Sequence, residues 1–313
     1  MKITFEQAVQ ELQEAENAVI LTHRKPDGDT LGSAAALCRG LRAMGKKAWV
    51  LKNPEVTPRY RWLLEGLEKD YAEGGDFIIS TDVADKALLP DNAGGLNISL
   101  AFDHHPSFKD FAEKGFCDPG SASCGEIIFR FIKALGLEFD KDMASAVYTA
   151  AATDTGCFNF DNTTAFCHET AAECIRAGAD YKRINYNCFR LKTKARVALE
   201  GYIYSHMSLT CGGRAACAVL TRDFIESIGA DDDDTDNLSS LMVQIDGIEV
   251  GSLLTQTKDR MAFKVSMRSR NVNVSEICAL FGGGGHVSAA GCTIEGEDAK
   301  ERIERAVGER LGF

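Results

Sequence analysis

One short stretch concentrates groups that could do chemistry. In residues 21–33, Leu-Thr-His-Arg-Lys-Pro-Asp-Gly-Asp-Thr-Leu-Gly-Ser, one imidazole (His23) and two carboxylates (Asp27 and Asp29) share a loop. Pro26 fixes its own φ and Gly28 permits a sharp turn, so three hard or borderline metal ligands fall into a small volume. The same residues also make an ordinary turn, with Asp29 or Thr30 capping the helix that follows and His23 at the surface. Taken alone, the stretch fits both readings, and the elements around it must decide.

An apolar run at residues 18–21 precedes the loop and a helical pattern at 31–44 follows it, which predicts strand, tight loop and helix. Residues 5–15 have helical spacing, and 47–51, 76–81 and 98–102 read as further strands. This alternation predicts an α/β fold: a doubly wound, mainly parallel sheet with helices on both faces. Ligands of such sheets collect at the carboxyl ends of the strands. The residues there are His23, Asp82 and Asp103-His104-His105. Asp82 by itself reads as an N-cap before Val83-Ala84-Asp85, but three apolar strands that all end in acids or imidazoles favour a metal site. Residues 109–120 read as a loop, 123–135 as a helix, and 140–153 as a buried helix of small apolar residues that delivers Asp154. A carboxylate there is costly unless a cation compensates it, the alternative being a local turn cap above Thr155 and Gly156.

The donor set is carboxylate and imidazole without cysteine, which favours Mn²⁺ or Mg²⁺ over structural zinc while leaving catalytic Zn²⁺, Fe²⁺ or Co²⁺ open. Two such ions about 3.5 to 4 Å apart serve in-line displacement at phosphorus, by activating a hydroxide between them and clamping a phosphoryl oxygen. Phosphoester hydrolysis is the reaction this suggests. Without cations the four aspartates would repel one another, so the metal-free site is expected to be partly protonated or disordered.

Composition narrows the class. The chain has 313 residues, 45% hydrophobic and 26% charged, enough for two globular domains. No apolar run approaches the roughly 20 residues of a membrane span, and Met1-Lys-Ile-Thr-Phe-Glu-Gln lacks a signal peptide's apolar stretch, so no membrane partner and a cytoplasmic location are expected. The eleven cysteines are scattered, odd in number and never form C-x-x-C, which argues against a disulfide framework and for small buried hydrophobes in a reducing compartment. A functional thiol, if there is one, would be Cys157 beside the candidate site. The net charge of −11 argues against a broad basic surface for long nucleic acid, so a phosphate ligand should be small and locally held.

In the second half, residues 164–177, 181–187 and 189–206 read as helices, 208–221 as a hairpin turned at Gly212-Gly213, and 248–257 with 260–267 as a second hairpin turned at Lys258-Asp259. The acidic run Asp231 to Asp234 reads as a solvated loop before a helix at 237–245, with Asp236 as its cap; His168 and His206 read as surface or packing residues. A helix at 275–280 then runs into Phe281-Gly-Gly-Gly-Gly-His-Val-Ser-Ala-Ala-Gly291. Consecutive glycines let backbone N–H groups cradle an anion and His286 can add a donor, although glycines alone also make a helix C-cap and a flexible loop.

These residues resemble a known family. His23-x-x-x-Asp27-x-Asp29, the Asp82 strand end, Asp103-His104-His105-Pro106 and Thr153-Asp154-Thr155-Gly156 are similar, in order, to the four motifs of the DHH phosphoesterases. The glycine-rich segment resembles the GGGHxxAAG motif of the C-terminal domain that accompanies many of them, so the likeness spans residues 23–291. The resemblance implies two divalent ions, Mn²⁺ first and Mg²⁺ or Co²⁺ as alternatives, held by His23, Asp27, Asp29, Asp82, His104 and Asp154, with Asp82 between them. Asp103 would stand behind the ligands and His105 would face the substrate phosphate; these two and Asp82 form the implied catalytic set. Met267-Arg268-Ser269-Arg270 looks like the strand-end Arg-Ser of compact members that act on short oligonucleotides, so Arg268, Ser269 and Arg270, with Gly283, Gly284, Gly285 and His286, would bind substrate. A catalytic domain over 1–187, a helical linker over 188–206 and a smaller mixed-sheet substrate-binding domain over 207–313 are expected, with the active site in the cleft between domains.

Two domains without extra modules most resemble the branch that degrades short oligoribonucleotides (nanoRNA) to mononucleotides and converts 3′-phosphoadenosine 5′-phosphate to AMP. Short RNA or a nucleotide is then the partner, and a homodimer is compatible with the reading. A phosphodiesterase for cyclic dinucleotides such as c-di-AMP, or for linear pApA, uses the same two domains and is the alternative. The manganese pyrophosphatases lack the glycine-rich terminus, and a non-catalytic nucleotide-binding module would not need all six ligand positions filled.

Overall fold

The computed structural model describes residues 1–235 and 237–313. Asp236, expected to cap a helix, lies outside the described residues. The chain divides into two units, Met1–Leu191 and Lys192–Phe313.

The first unit runs α1 (Phe5–Glu14), β1 (Asn17–Leu21), α2 (Gly28–Ala43), β2 (Lys47–Leu51), β3 (Glu68–Lys69), β4 (Phe77–Thr81), β5 (Leu100–Asp103), β6 (Lys114–Cys117), α3 (Cys124–Ala134), α4 (Lys141–Asp154), α5 (Ala165–Arg176) and α6 (Tyr181–Asn185), which continues into a π-helical turn, Tyr186–Arg190. All six strands are parallel, in the order β3-β2-β1-β4-β5-β6. Strand order reverses between β1 and β4, and a doubly wound sheet has its ligand crevice at the carboxyl end of that gap. Alternation along the strands splits the core. Ala18, Ile20, Ile79, Leu100 and Phe102 pack with the residues of α1 to α4, and Val19, Leu21, Ile78 and Ala101 pack with Val83 and with Leu89 and Ala93, the last two in or beside short 3₁₀ turns.

Small residues let α2, α3 and α4 approach closely. A Cβ on Gly32 would stand 2.4 Å from the Ala146 carbonyl oxygen, and one on Gly125 would stand 2.3 Å from the Ala150 Cβ. The helices bearing Asp29 and Asp154 are thus brought together by what their neighbours lack.

The second unit runs α7 (Lys194–His206), β7 (Ser208–Thr210), β8 (Ala215–Leu220), α8 (Arg222–Ser227), α9 (Asp232–Thr235), α10 (Ser240–Val243), β9 (Val250–Gln256), β10 (Ala262–Ser269), α11 (Val274–Ala279), β11 (Gly284–His286), β12 (Ala289–Glu295) and α12 (Ala299–Leu311). Its mixed sheet has the order β11-β12-β10-β9-β8-β7, parallel only between β8 and β9.

Several elements differ from the sequence expectation. The loop expected at 109–120 contains β6, and β3 was not anticipated; both are short edge strands. Helix α2 begins at Gly28 because Asp27, not Asp29 or Thr30, is its cap, accepting the N–H groups of Asp29 (3.0 Å) and Thr30 (3.1 Å). The helix expected from 189 starts at Lys194, where the Thr193 hydroxyl accepts the Arg196 N–H. The acidic run is mostly a helical turn rather than a loop, exposed at Asp231 and Asp233 but not at Asp234. Asp234 is buried, accepts the Thr193 hydroxyl proton and the Asp231 N–H, and so fastens a helical turn to the start of α7. The helix expected at 237–245 is confined to Ser240–Val243.

Alanine in place of glycine inside a helix normally stabilises by about 1 kcal/mol. Gly32→Ala should reverse that sign and destabilise by about 1–3 kcal/mol, because the atom it meets is an immovable backbone oxygen 2.4 Å away. The midpoint of urea unfolding checks it; a higher midpoint than the parent's would contradict the packing.

Candidate metal centre

The strand ends deliver their side chains to one place. His23 follows β1, Asp82 follows β4, and Asp103 closes β5 with His104 and His105 directly after it; Asp29 lies in the first turn of α2 and Asp154 ends α4. Three groups each bring one donor atom per residue within 4.8 Å of one another: His23, Asp27 and Asp82; Asp82, His104 and His105; and Asp29, His104 and Asp154. Asp82 belongs to two of them, its Oδ2 3.7 Å from His23 Nε2 and its Oδ1 3.5 Å from His104 Nε2. His104 Nε2 also lies 3.6 Å from Asp29 Oδ2 and 3.6 Å from Asp154 Oδ2. Asp82 is no helix cap. It sits in left-handed backbone at φ 59°, a conformation disfavoured for aspartate and held here by its N–H bonding to the Phe102 carbonyl at 2.8 Å.

Backbone groups orient the imidazoles. His23 Nδ1 is 2.8 Å from the Arg24 carbonyl and His104 Nδ1 3.2 Å from the Ser121 carbonyl. A carbonyl only accepts, so each Nδ1 carries hydrogen and each Nε2 is the atom offered to a cation. Asp103, fully buried, accepts from both the His105 N–H (2.6 Å) and its Nδ1 (2.9 Å), which leaves His105 Nε2 as the outward nitrogen. Asp29 is held by the Cys124 N–H (2.8 Å) and Gly125 N–H (2.9 Å) at the start of α3, and by the Ser33 hydroxyl (3.1 Å). These supports, with Asn162 donating to the Asp154 carboxylate at 3.5 Å, were not read from the sequence. The Ser123-x-x-Glu126 start of α3 was its visible part, but its meeting with Asp29 is tertiary.

Charge is unbalanced in this cluster. Burial opposes a charged imidazole at His23 and at His104, yet the adjacent Asp27 carboxylate raises His23 to about 9 and the Asp82 carboxylate, with Asp29 and Asp154, raises His104 to about 10. Burial, then the charges of Asp82 and Asp154, push Asp29 well above the carboxylate range, and burial lifts Asp154 to about 6 against the pull of His104. The hydrogen bond to Asp103 raises His105. The buried atoms Asp82 Oδ1 and His104 Nε2 have no hydrogen-bond partner. Unpaired buried donors and acceptors of this kind fit a divalent cation, which would supply the missing contacts and compensate the carboxylates. The nearby Cys124 thiol donates to the Phe102 carbonyl (3.6 Å), and burial raises its pKa, as it does that of Cys157, so neither is an activated thiolate.

In the second unit, helix α11 ends in a Schellman turn: Gly282 at φ 73°, its N–H on the Ala279 carbonyl and that of Gly283 on the Cys278 carbonyl. The remaining glycines form a strand rather than a loose loop, since Gly284–His286 pairs with β12. A Cβ on Gly283 would stand 2.2 Å from the Gly291 oxygen, whereas Gly284 is open and His286 exposed. Arg268 reaches the Met267 carbonyl (3.1 Å) and Asn237 Oδ1 (3.3 Å), Ser269 donates to the Val272 carbonyl, and Arg270 bonds the carbonyls of Val243, the last residue of α10, and Ile245 beyond it. His206 stacks on Tyr202, and in the first unit His168 stacks on Phe158.

Residues 17–151 match the DHH family, N-terminal domain, and residues 208–312 match the DHHA1 domain. The chain belongs to the DHH family. It is 32% identical over 301 residues to the bifunctional oligoribonuclease and PAP phosphatase NrnA of Thermus thermophilus, covering 93% of this chain and 89% of that protein. The Bacillus subtilis protein of the same name is 25% identical over 291 residues, with 91% of each covered. An exopolyphosphatase-related protein from Bacteroides fragilis shares the fold, with a TM-score of 0.81 at 22% identity over 98% of this chain and 95% of that one.

A metal ligand must be deprotonated, so a cation held by His23 and His104 would have to expel the protons they hold below about 9 and about 10. Apparent affinity should therefore rise with pH across 6 to 8, by about tenfold per unit for each proton released, and at least one proton should leave per protein at pH 7. Titration calorimetry in buffers of different ionisation enthalpy checks this; pH-independent affinity without proton release would contradict it.

Proposed function

We propose that the chain is a metal-dependent phosphoesterase that hydrolyses short oligoribonucleotides to mononucleotides and 3′-phosphoadenosine 5′-phosphate to AMP. The observation that carries the reading is Asp82, shared by two clusters of nitrogen and oxygen donors and left with an unpaired buried oxygen. The names of the two relatives support the substrate class.

His23, Asp27, Asp29, Asp82, His104 and Asp154 would hold two divalent ions, manganese first among them. When bound, such ions lower the pKa of water and offset charge on phosphoryl oxygens. The chain's own part is positional. Asp103 fixes His105 so that its outward nitrogen can donate to the substrate phosphate, and the raised pKa of His105 keeps that proton available. Asp29 and Asp154 are carried on packed helices, each carboxylate 3.6 Å from His104 Nε2. Arg268, Ser269, Arg270 and the Gly283–Gly285 backbone with His286 would bind the nucleotide's non-reacting part, the chain dividing into a catalytic domain of residues 1–187, a linker of 188–206 and a substrate domain of 207–313. A cytoplasmic location fits this role, as does a homodimer. No described helix is long and apolar enough to cross a membrane.

Asp82→Ala should lower turnover of a ribodinucleotide by more than about 100-fold, beyond the 10- to 100-fold typical of groups that only orient a ligand, with the far-ultraviolet spectrum unchanged. Excess chelator should abolish hydrolysis and Mn²⁺ restore it. Assays on a two-to-five nucleotide RNA series, on 3′-phosphoadenosine 5′-phosphate and on c-di-AMP and pApA decide the substrate; exclusive turnover of the last two would replace the reading with a cyclic-dinucleotide phosphodiesterase.

Losing a charge-assisted phosphate contact of about 1.5–3 kcal/mol lowers kcat/KM by roughly 10- to 150-fold. Arg268→Ala and His286→Ala should each lose this much on dinucleotides, while a small chromogenic phosphodiester that cannot reach these residues keeps nearly parental turnover. Equal losses on both substrates would move these residues out of the binding role.

A further inference from the structure

Phe160 leaves 54% of its surface in solvent beside the candidate metal centre. The backbone beneath it is specialised. Directly after Asp154 and Thr155, three consecutive residues take left-handed backbone, Gly156 (φ 56°), Cys157 (φ 57°) and Phe158 (φ 65°), the last two without the licence of glycine. Thr155, fully buried, pins the turn: its hydroxyl accepts the Phe158 N–H (3.1 Å), and its carbonyl accepts those of Asn159 (2.9 Å) and Phe160 (3.0 Å). The far end returns to the centre, where Asn162 Nδ2 donates to the Ala122 and Asp154 carbonyls (3.1 and 3.2 Å) as well as to the Asp154 carboxylate. The loop bearing Phe160 therefore starts and finishes on a candidate ligand.

The two aromatic residues of this loop have opposite fates. Phe158 turns inward and meets the rings of Tyr148 (5.8 Å) and His168 (5.3 Å). Phe160 has no ring partner among the described residues, and it lies on Gly156 so closely that a Cβ there would be 2.4 Å from its ring. One face of the ring is thus seated on bare backbone. Strain that persists beside an active centre, and serves to hold one side chain in place, is a signature of function rather than of stability. The positive charge of Arg190, on the π-helical turn, also acts on Cys157 at the base of this loop. A rigid, exposed aromatic face is a means by which single-stranded nucleotides are held without sequence preference.

We propose that Phe160 is a stacking platform for a nucleobase of the substrate whose phosphate reaches the centre around Asp82, and so a substrate-positioning residue. This rests on the phosphoesterase reading. Because stacking is tolerant of base identity, the contact fits a short oligoribonucleotide of mixed sequence.

The test compares Phe160→Ala, Phe160→Leu and Phe160→Tyr on a ribodinucleotide and on the same compound with its bases removed. Alanine and leucine should lower kcat/KM on the dinucleotide by about 5- to 150-fold, mainly through KM, and should leave the abasic compound within about twofold of the parent. Tyrosine should behave as the parent. Parental kinetics of the alanine variant, an equal loss on both substrates, or full recovery by leucine would each overturn the proposal, the last by showing that only the seat on Gly156 needs filling. A parent that hydrolyses neither compound defeats the phosphoesterase reading before any variant is compared, and the proposal with it.

Discussion

The first unit is organised around a collection of like charges. Asp27, Asp29, Asp82 and Asp154 converge at one end of the sheet, and Asp29 and Asp154 offer donor atoms within 4.8 Å of each other. Two unit charges at that separation repel by roughly 3 kcal/mol at an effective dielectric of about 20, and burial of Asp29 and Asp82 adds a desolvation cost. Nothing in the apolar core can answer that cost directly. The available answers are the N–H groups of Cys124 and Gly125 on Asp29, protons retained on His23 and His104, and cations. The helix packing follows from the same demand, since only the absent side chains of Gly32 and Gly125 allow α2, α3 and α4 to bring these carboxylates and backbone donors together.

What the sequence revealed and what it hid divide along a physical line. His23, Asp82 and His104 were legible because each follows an apolar run short enough to be a strand, and a doubly wound sheet has one place for such strand ends. Asp27 was recognised as a candidate ligand but not as the cap of α2, since Pro-Asp-Gly-Asp offers two aspartates at cap spacing and only the backbone decides between them. Strand β6, Lys-Gly-Phe-Cys, has neither length nor alternation enough to stand out from a loop, and gains its place by pairing with β5 at the sheet edge. The acidic run misled for a similar reason: composition records that Asp234 is charged, not that a threonine hydroxyl forty-one residues earlier is waiting for it. The glycines near residue 283 were read for what they permit, a cradle. The close approach of Gly283 to Gly291 shows that packing of the β11–β12 hairpin is itself sufficient reason for a glycine at that position.

Backbone strain marks where the fold yields to the site. Asp82, Cys157 and Phe158 hold left-handed conformations that cost of order 1–3 kcal/mol each, and all three lie at the candidate centre or on the loop that leaves it. Each is held by a buried neighbour: the Phe102 carbonyl for Asp82, the Ala152 carbonyl for Cys157 and the Thr155 hydroxyl for Phe158. Relaxing Asp82 to an ordinary strand geometry would carry its carboxylate away from the point between His23 and His104. The cost is therefore tied to the position of the charge itself, and it can be sustained because β4 and β5 fix the backbone on either side before the side chain is asked to do anything.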